Sequence, residues 1–359
     1  MDYTILTINP GSTSTKIALF RNEELIWNVT IRHSSEEIGR FHSIPDQFEW
    51  RLGLVLDALE EKGVDIRLLS VIIGRGGLVK PIEGGIYGID EAMLRDLRET
   101  TNQHATNLGA PIALAIAEKA GIKAYIADPP TIDELQQTAR ISGVKELPRI
   151  SIFHALNQKA VARLYAHTNG RRYDEMNLIV VHMGGGISVG AHLKGRVVDV
   201  NNAFDGEGPL APERAGTLPA GQLVDLCFSG RYSRAELKKM CCGRGGIVDW
   251  LGTNSIIEVE KRAKSGDAEA QLLLETMCYT VSKTIGSMAT VMCGDIDAII
   301  LTGGLANNED IVERIMEHCS FIAPIAVYPG EDEMQALAES GLMLLRGEAE
   351  PKSYGTIYA

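Results

Sequence analysis

The sequence predicts an α/β protein of two similar domains, each built around a mixed β-sheet. Three observations predict it: an internal repeat of strand, glycine-rich turn and strand; a second repeated strand ending in paired glycines; and helical patterns alternating with the strands.

Residues 3–8 form an apolar run, Tyr-Thr-Ile-Leu-Thr-Ile. Asn9-Pro10-Gly11-Ser12-Thr13-Ser14 follows as a turn, and 15–20 as a second strand. A polar turn at 21–24 leads into a third strand-like run at 25–31. The same order returns about half the chain later. Residues 178–183 are apolar, Gly184-Gly185-Gly186 make the turn, 187–193 the next strand, Lys194-Gly195 a tight turn and 196–200 the third strand. Runs of β-branched residues broken by Gly and Asn are strand and turn signals. The second repeated pair is Ser70-Val-Ile-Ile-Gly-Arg-Gly-Gly and Asp297-Ala-Ile-Ile-Leu-Thr-Gly-Gly. Helical periodicity occupies 91–101, 111–120, 154–167, 267–292, 309–319 and 333–346. The repeat spacing sets a boundary near Pro148, giving a first domain over 1–148 and a second over 149–333. The last helix either caps the second domain or crosses back to the first.

With 359 residues, 45% hydrophobic and 23% charged, the chain has the make-up of a globular protein with filled cores. A formal net charge of -12 argues against a nucleic-acid surface, which needs a basic patch. It also requires that an anionic substrate meet local positive charge, since the overall field repels it. No apolar run reaches the ~18 residues of a membrane helix, and no secretory leader precedes the first strand, so a cytoplasmic protein is expected. The six cysteines lack CxxC pairing and read as reduced thiols.

Small residues in a turn let backbone N–H groups converge on one point, which makes an anion nest. The hydroxyls of Ser12, Thr13, Ser14 and Ser188 are further donors suited to phosphate oxygens. One glycine-rich hairpin turn is ordinary. Two at duplicated positions, with a third glycine pair at Gly303-Gly304, point to a nucleotide phosphate gripped from both sides of an interdomain cleft. Unlike the phosphate loop G-x-x-x-x-G-K-[ST], which residues 9–16 do not fit, both turns join two strands rather than a strand and a helix.

Several motifs in one order resemble a known family. The run Ile5 to Lys16 looks like the opening motif of the acetate and butyrate kinases, the acetokinase family, and His182-Met-Gly-Gly-Gly-Ile-Ser188 like their second phosphate loop. Gly74 to Lys80, His104 to Gly109, Arg214 within Ala211 to Gly216, and Leu301 to Ala306 match in order. The likeness spans nearly the whole chain and is nearest to the butyrate kinases. It implies two duplicated ribonuclease-H-like (actin-like ATPase) domains, with residues 334–359 returning to the first domain. It also implies ATP-dependent phosphorylation of a short-chain carboxylate to an acyl phosphate and ADP, with Mg²⁺, in a homodimer or higher homo-oligomer. Membrane and nucleic-acid partners are not expected. Where acetate kinases carry Asn in the second loop, this chain has Gly185. One side-chain phosphate contact is therefore expected to be lost, moving the preference from acetate toward butyrate or branched acids.

A carboxylate is ionised at neutral pH, with a pKa of about 4, and needs no general base; the task is to bring two anions together. Guanidinium forks suit both partners. The resemblance makes Arg75 and Arg214 that clamp, with His154 hydrogen-bonding the transferring phosphoryl and Asp128 as the fourth catalytic group. Asn9, Ser12, Ser14 and Lys16 are expected at the γ-phosphate, with His182, Gly184, Gly185 and Gly186 around the phosphates. Gly303, Gly304 and Asn307 are expected near the adenosine, and residues 245–253 are a looser choice for the base pocket. Asn9, Asp128 and Glu333 are expected around the metal. The rival readings are an acetate, propionate or branched-chain acid kinase, a sugar kinase using Asp128 as base, and a switching ATPase of the actin or chaperone kind.

Overall fold

The structure, a computed structural model, describes residues 2–357. Its contacts divide the chain into two units, after Ile132 and after Glu331, with the segment from Asp332 onward belonging to the first.

The first unit opens with the antiparallel strands β1 (Thr4–Pro10), β2 (Ser14–Arg21) and β3 (Glu24–Arg32). β1 is buried along almost its whole length because it lies inside the sheet, between β2 and the parallel strand β4 (Val71–Arg75). Next come β5 (Ile86–Gly88) and β6 (Ala124–Ala127). Across the sheet the order is Lys352–Ser353, β5, β6, β4, β1, β2, β3. Alternation along β1 and β4 sends Leu6, Ile8 and Ile72 toward the helices Phe48–Glu61 and Gly109–Ala120. Ile5, Val71 and Ile73 point the other way, and the helix Glu333–Arg346 lies on them through Gly341. The helix Glu333–Arg346 thus packs on the first sheet.

The second unit repeats the scheme. β7 (Asn177–Met183), β8 (Ile187–Leu193) and β9 (Arg196–Val200) form the meander. β10 (Ala298–Gly303) and β11 (Ile325–Pro329) add in parallel, giving the order β11-β10-β7-β8-β9. Read from the third meander strand, both sheets run 3-2-1 and then two parallel strands, so the duplication seen in the sequence is a duplication of topology. Ile179, Val181, Ile299 and Leu301 face the helices Ala268–Val291 and Glu309–Cys319. Leu178, Val180, Ala298 and Ile300 face the helix Ala155–Thr168.

The stretch 133–148, read from the repeat spacing as the end of the first domain, makes its contacts with the second unit. Buried Glu134 pairs with Lys159 at 3.0 Å and accepts from the Val197 backbone N–H at 2.7 Å. Among the described residues no helix is long and apolar enough to cross a membrane. The six cysteines are unpaired, as expected of reduced thiols.

Candidate functional site

In the first unit the β1–β2 turn is held from behind. Gly11 N–H donates to the Ser14 carbonyl at 2.7 Å, closing the turn, and leaves Ser12 and Thr13 exposed at its tip. Ser12 Oγ lies 3.4 Å from His104 Nε2. Lys16 is exposed on β2, opposite Asn9 in the register. Beneath the turn lies Arg51, fully buried. Its Nη1 donates to the carbonyls of Gly11 (3.0 Å) and Ser14 (3.2 Å) and to Thr15 Oγ1 (3.0 Å), and its Nε to Gln47 Oε1 (3.0 Å). Burial pulls its guanidinium down to about 10, and Nη2 is buried with no hydrogen-bond partner.

Arg75 ends β4 and is 7% exposed. A side chain on Gly109 would come 2.2 Å from the Arg75 carbonyl, so only glycine lets that helix start approach so closely. One nitrogen of the fork, Nη2, pairs with Glu333 Oε1 at 3.0 Å; Nε and Nη1 are buried without partners. Asn9 Nδ2 donates to Glu333 Oε2 at 2.5 Å. Asn9, Arg75 and Glu333 are therefore one cluster. Asp128 is buried just beyond β6, in the left-handed region at φ 37°, a conformation that is costly outside glycine. Its N–H donates to the Gly85 carbonyl and its Oδ1 accepts from Gly85 N–H, which together hold it there.

In the second unit His154, capping the helix Ala155–Thr168, stacks on His182 of β7 with ring centroids 3.9 Å apart. His182 Nδ1 meets Asn157 Oδ1 at 2.7 Å and its Nε2 meets Glu331 Oε1 at 3.1 Å. The glycine turn follows directly. A side chain on Gly184 would fall 2.8 Å from Glu331 Oε1, one on Gly185 3.2 Å from Glu213 Oε2, and one on Gly186 3.4 Å from Arg214 Cγ. The turn is thus bordered by two carboxylates and an arginine. Arg214 lies 5.6 Å over the Phe204 ring, its Nη1 donates to the Glu213 carbonyl, and its Nε is buried and unpartnered. Gly303, at φ 89°, passes so close to Met183 that a Cβ would come within 2.4 Å of that carbonyl, and it exchanges backbone hydrogen bonds with Gly330. Gly304 and Asn307 are exposed, linked by Asn307 Nδ2 to the Gly304 carbonyl at 3.0 Å. Gly245 and Gly246 pack under the Arg214 loop.

A profile of the acetokinase family matches residues 145–342. Butyrate kinase 2 of Clostridium acetobutylicum is 52% identical over 355 residues, covering 99% of this chain and 100% of the relative. The chain belongs to the acetokinase family. Solved acetokinase-type structures share its fold. Acetate kinase from Porphyromonas gingivalis superposes with a TM-score of 0.76 at 18% identity, covering 95% of this chain and 100% of that one. A propionate kinase from Francisella tularensis gives 0.72 at 17%, covering 94% and 98%. The α/β fold of two duplicated units with mixed sheets, expected from the sequence, is the one the chain has.

Two expectations change. Ser188, expected to donate to a ligand, is fully buried, and its hydroxyl is engaged by His154 and Gln158. At Gly185, the space an Asn side chain needs is held by Glu213, itself bonded to Asn254 Nδ2. Sequence reading also missed Arg51, Gln158, Glu213 and Glu331. Arg51 had a signal. It falls on the stripe Phe48, Leu52, Val55, Leu59, where a charge is buried by periodicity. The other three are ordinary polar residues until the fold brings them together.

Proposed function

We propose that the chain phosphorylates a short-chain carboxylate with ATP, reversibly, giving an acyl phosphate and ADP, with an acid of butyrate size preferred over acetate. The buried fork of Arg75, with two N–H donors unpartnered beside the Asn9–Glu333 pair, is the observation that carries this reading. Such donors are costly to bury unless an anion meets them. A carboxylate or phosphoryl oxygen pair has the matching planar geometry. The preference for butyrate size is supported by the 52% identity to Butyrate kinase 2.

In this reading the acid brings its own nucleophilic oxygen, so no residue removes a proton. Arg75 orients the anion, while Arg214, with Nε unpartnered, neutralises charge gathering on the phosphoryl. His154 donates a hydrogen bond to it, and the two glycine turns offer backbone N–H groups to the nucleotide phosphates. Ser12, Ser14, Lys16 and Asn9 serve the γ-phosphate, His182 and Gly184 to Gly186 the others, and Gly303, Gly304 and Asn307 the nucleoside end. The oxygens of Asn9, Asp128 and Glu333 are hard donors of the kind Mg²⁺ takes. Their small number fits an ion held mainly by phosphates and water. Bound there, Mg²⁺ supplies charge neutralisation on the phosphate oxygens. A homodimer or larger assembly, located in the cytoplasm, completes the proposal.

The test is incubation with ATP, Mg²⁺ and a panel of straight and branched acids, trapping acyl phosphate with hydroxylamine. Hydroxamate is expected, most of it from butyrate; ATP hydrolysis without hydroxamate from any acid would falsify the reading. Arg75→Ala and Arg214→Ala should each lower kcat by at least ~100-fold.

A further inference from the structure

Behind His154 runs a chain of hydrogen bonds that the phosphoryl-transfer reading does not use. Gln158 Nε2 lies 3.1 Å from the Ser188 backbone carbonyl and 2.7 Å from Ser188 Oγ. Gln158 Oε1 lies 2.9 Å from His192 Nε2, and the Tyr173 hydroxyl 2.7 Å from His192 Nδ1. Ser188 Oγ lies 2.8 Å from His154 Nδ1. Gln158, Ser188 and His192 are all fully buried. A side chain on Gly190 would fall 2.6 Å from Gln158 Oε1 and 3.0 Å from His192 Nε2, so β8 needs glycine there to admit the pair.

The direction of every bond follows from one group that can only accept. The Ser188 carbonyl has no hydrogen, so the Gln158 amide must turn its NH₂ toward it. Gln158 Oε1 then faces His192, whose Nε2 must carry a hydrogen and donate. Burial pushes His192 well below the usual imidazole range, so its ring is neutral and Nδ1 accepts from the Tyr173 hydroxyl. On the other side the same NH₂ donates to Ser188 Oγ. The hydroxyl hydrogen of Ser188 needs an acceptor in a fully buried place, and His154 Nδ1 is positioned to be it.

We infer that Gln158, through Ser188, fixes His154 as the tautomer with its hydrogen on Nε2, making Gln158 and Ser188 positioning residues for phosphoryl transfer. The opposite tautomer would put His154 Nδ1–H against the serine oxygen and leave a buried hydroxyl hydrogen unbonded, at a cost of about 1–3 kcal/mol. The stack on His182 sets the ring plane, and the serine sets which nitrogen donates. As phosphoryl charge develops it needs a donor, and a lone-pair nitrogen there would repel it. The functional half of this inference rests on the proposed reaction; the tautomer does not.

The experiment is long-range ¹H–¹⁵N correlation on the full chain labelled with ¹⁵N-histidine, at about pH 8.5, roughly two units above the ordinary imidazole value. The His154 signals are assigned by their loss in His154→Asn. Wild type should show His154 as the Nε2–H form; finding Nδ1–H overturns the inference. In Gln158→Glu the new carboxylate can only accept, so Ser188 turns its hydrogen toward it and His154 Nδ1 gains one. The tautomer should switch, with kcat down ~10²–10³-fold and the KM for ATP little changed. An unchanged tautomer in that variant overturns the inference as well. Should Gln158→Glu not fold, the wild-type spectrum decides alone. A wild type that makes no acyl phosphate but shows the Nε2–H form removes the proposed reaction and keeps the assignment.

Discussion

Arg51 places a full charge inside the protein, where an isolated ion is expensive. Its cost is offset by four hydrogen bonds, three of which end on the β1–β2 turn or the residue after it. Two carbonyls held inward by one guanidinium fix the peptide planes on either side of the loop tip. The four hydrogen-bond acceptors of Arg51 are all neutral, so its positive charge is held directly beneath the turn. Arg51→Met should therefore weaken ATP binding by ~10-fold or more, and should lower stability by about 3 kcal/mol for lost charge-assisted bonds. Arg51→Lys keeps the charge without the fork, and its ATP affinity should fall between the two. Isothermal titration with ATP and urea unfolding measure these effects. Wild-type affinity and midpoint in Arg51→Met would remove the residue from the site.

Among elements, the helix Glu333–Arg346 joins packing to chemistry. Its first turn presents Glu333 to Arg75 and Asn9, and its middle touches the sheet at Gly341, where a Cβ would come within 3.0 Å of Ile73, 3.1 Å of Ile5 and 3.2 Å of Val71. Gly341→Val should cost about 1–3 kcal/mol by overpacking, and it should also raise the KM for the acid by tilting Glu333 away from Arg75. Gly53, inside the helix Phe48–Glu61, has nothing within 4 Å of an added Cβ, so Gly53→Ala should stabilise by about 0.5–1 kcal/mol. Thermal unfolding of both variants checks the pair, and equal signs would contradict the packing described. These two helices also mark what the sequence made legible. Residues 333–346 read as a helix because apolar residues recur at helical spacing beyond an acidic first turn. The helix Phe48–Glu61 did not, since Arg51 sets a charge on its apolar stripe and Gly53, off the stripe, lowers its helix propensity. Ala220–Phe228 carries Leu223, Val224, Leu226 and Phe228 but buries none of them, so its apolar positions mark no core face. The glycine turns and Arg75 were visible because backbone approach and strand ends leave residue-type signatures. Gln158 and Glu213 were not, because a hydrogen-bond partner from another strand or loop has no local signature.

For the whole molecule, duplication extends to its response to acid. Among the described residues, His33 in the first unit and His192 in the second are buried imidazoles held below their usual range. His33, beside the first turn, is shifted by burial and then by the Arg51 charge. His192, on β8, is shifted by burial and then by Lys159 and Arg163. In the unfolded chain both titrate near 6.5. Above that value both states are neutral and the shift contributes nothing. Below it the unfolded chain binds protons that the native protein does not, so stability falls as pH falls, until the native histidines also titrate. Carboxylates held low, such as Asp96 and Asp297, are ionised in both states over this window and leave the slope alone. Calorimetry without nucleotide should therefore show both units melting several degrees lower at about pH 5.5 than at about pH 7.5, since a 1 kcal/mol loss shifts Tm by roughly 2–4 °C at this domain size. His33→Gln should flatten that dependence for the first unit and leave it in the second. A Tm that is constant or rises on acidification would mean that these two rings are protonated in the native protein.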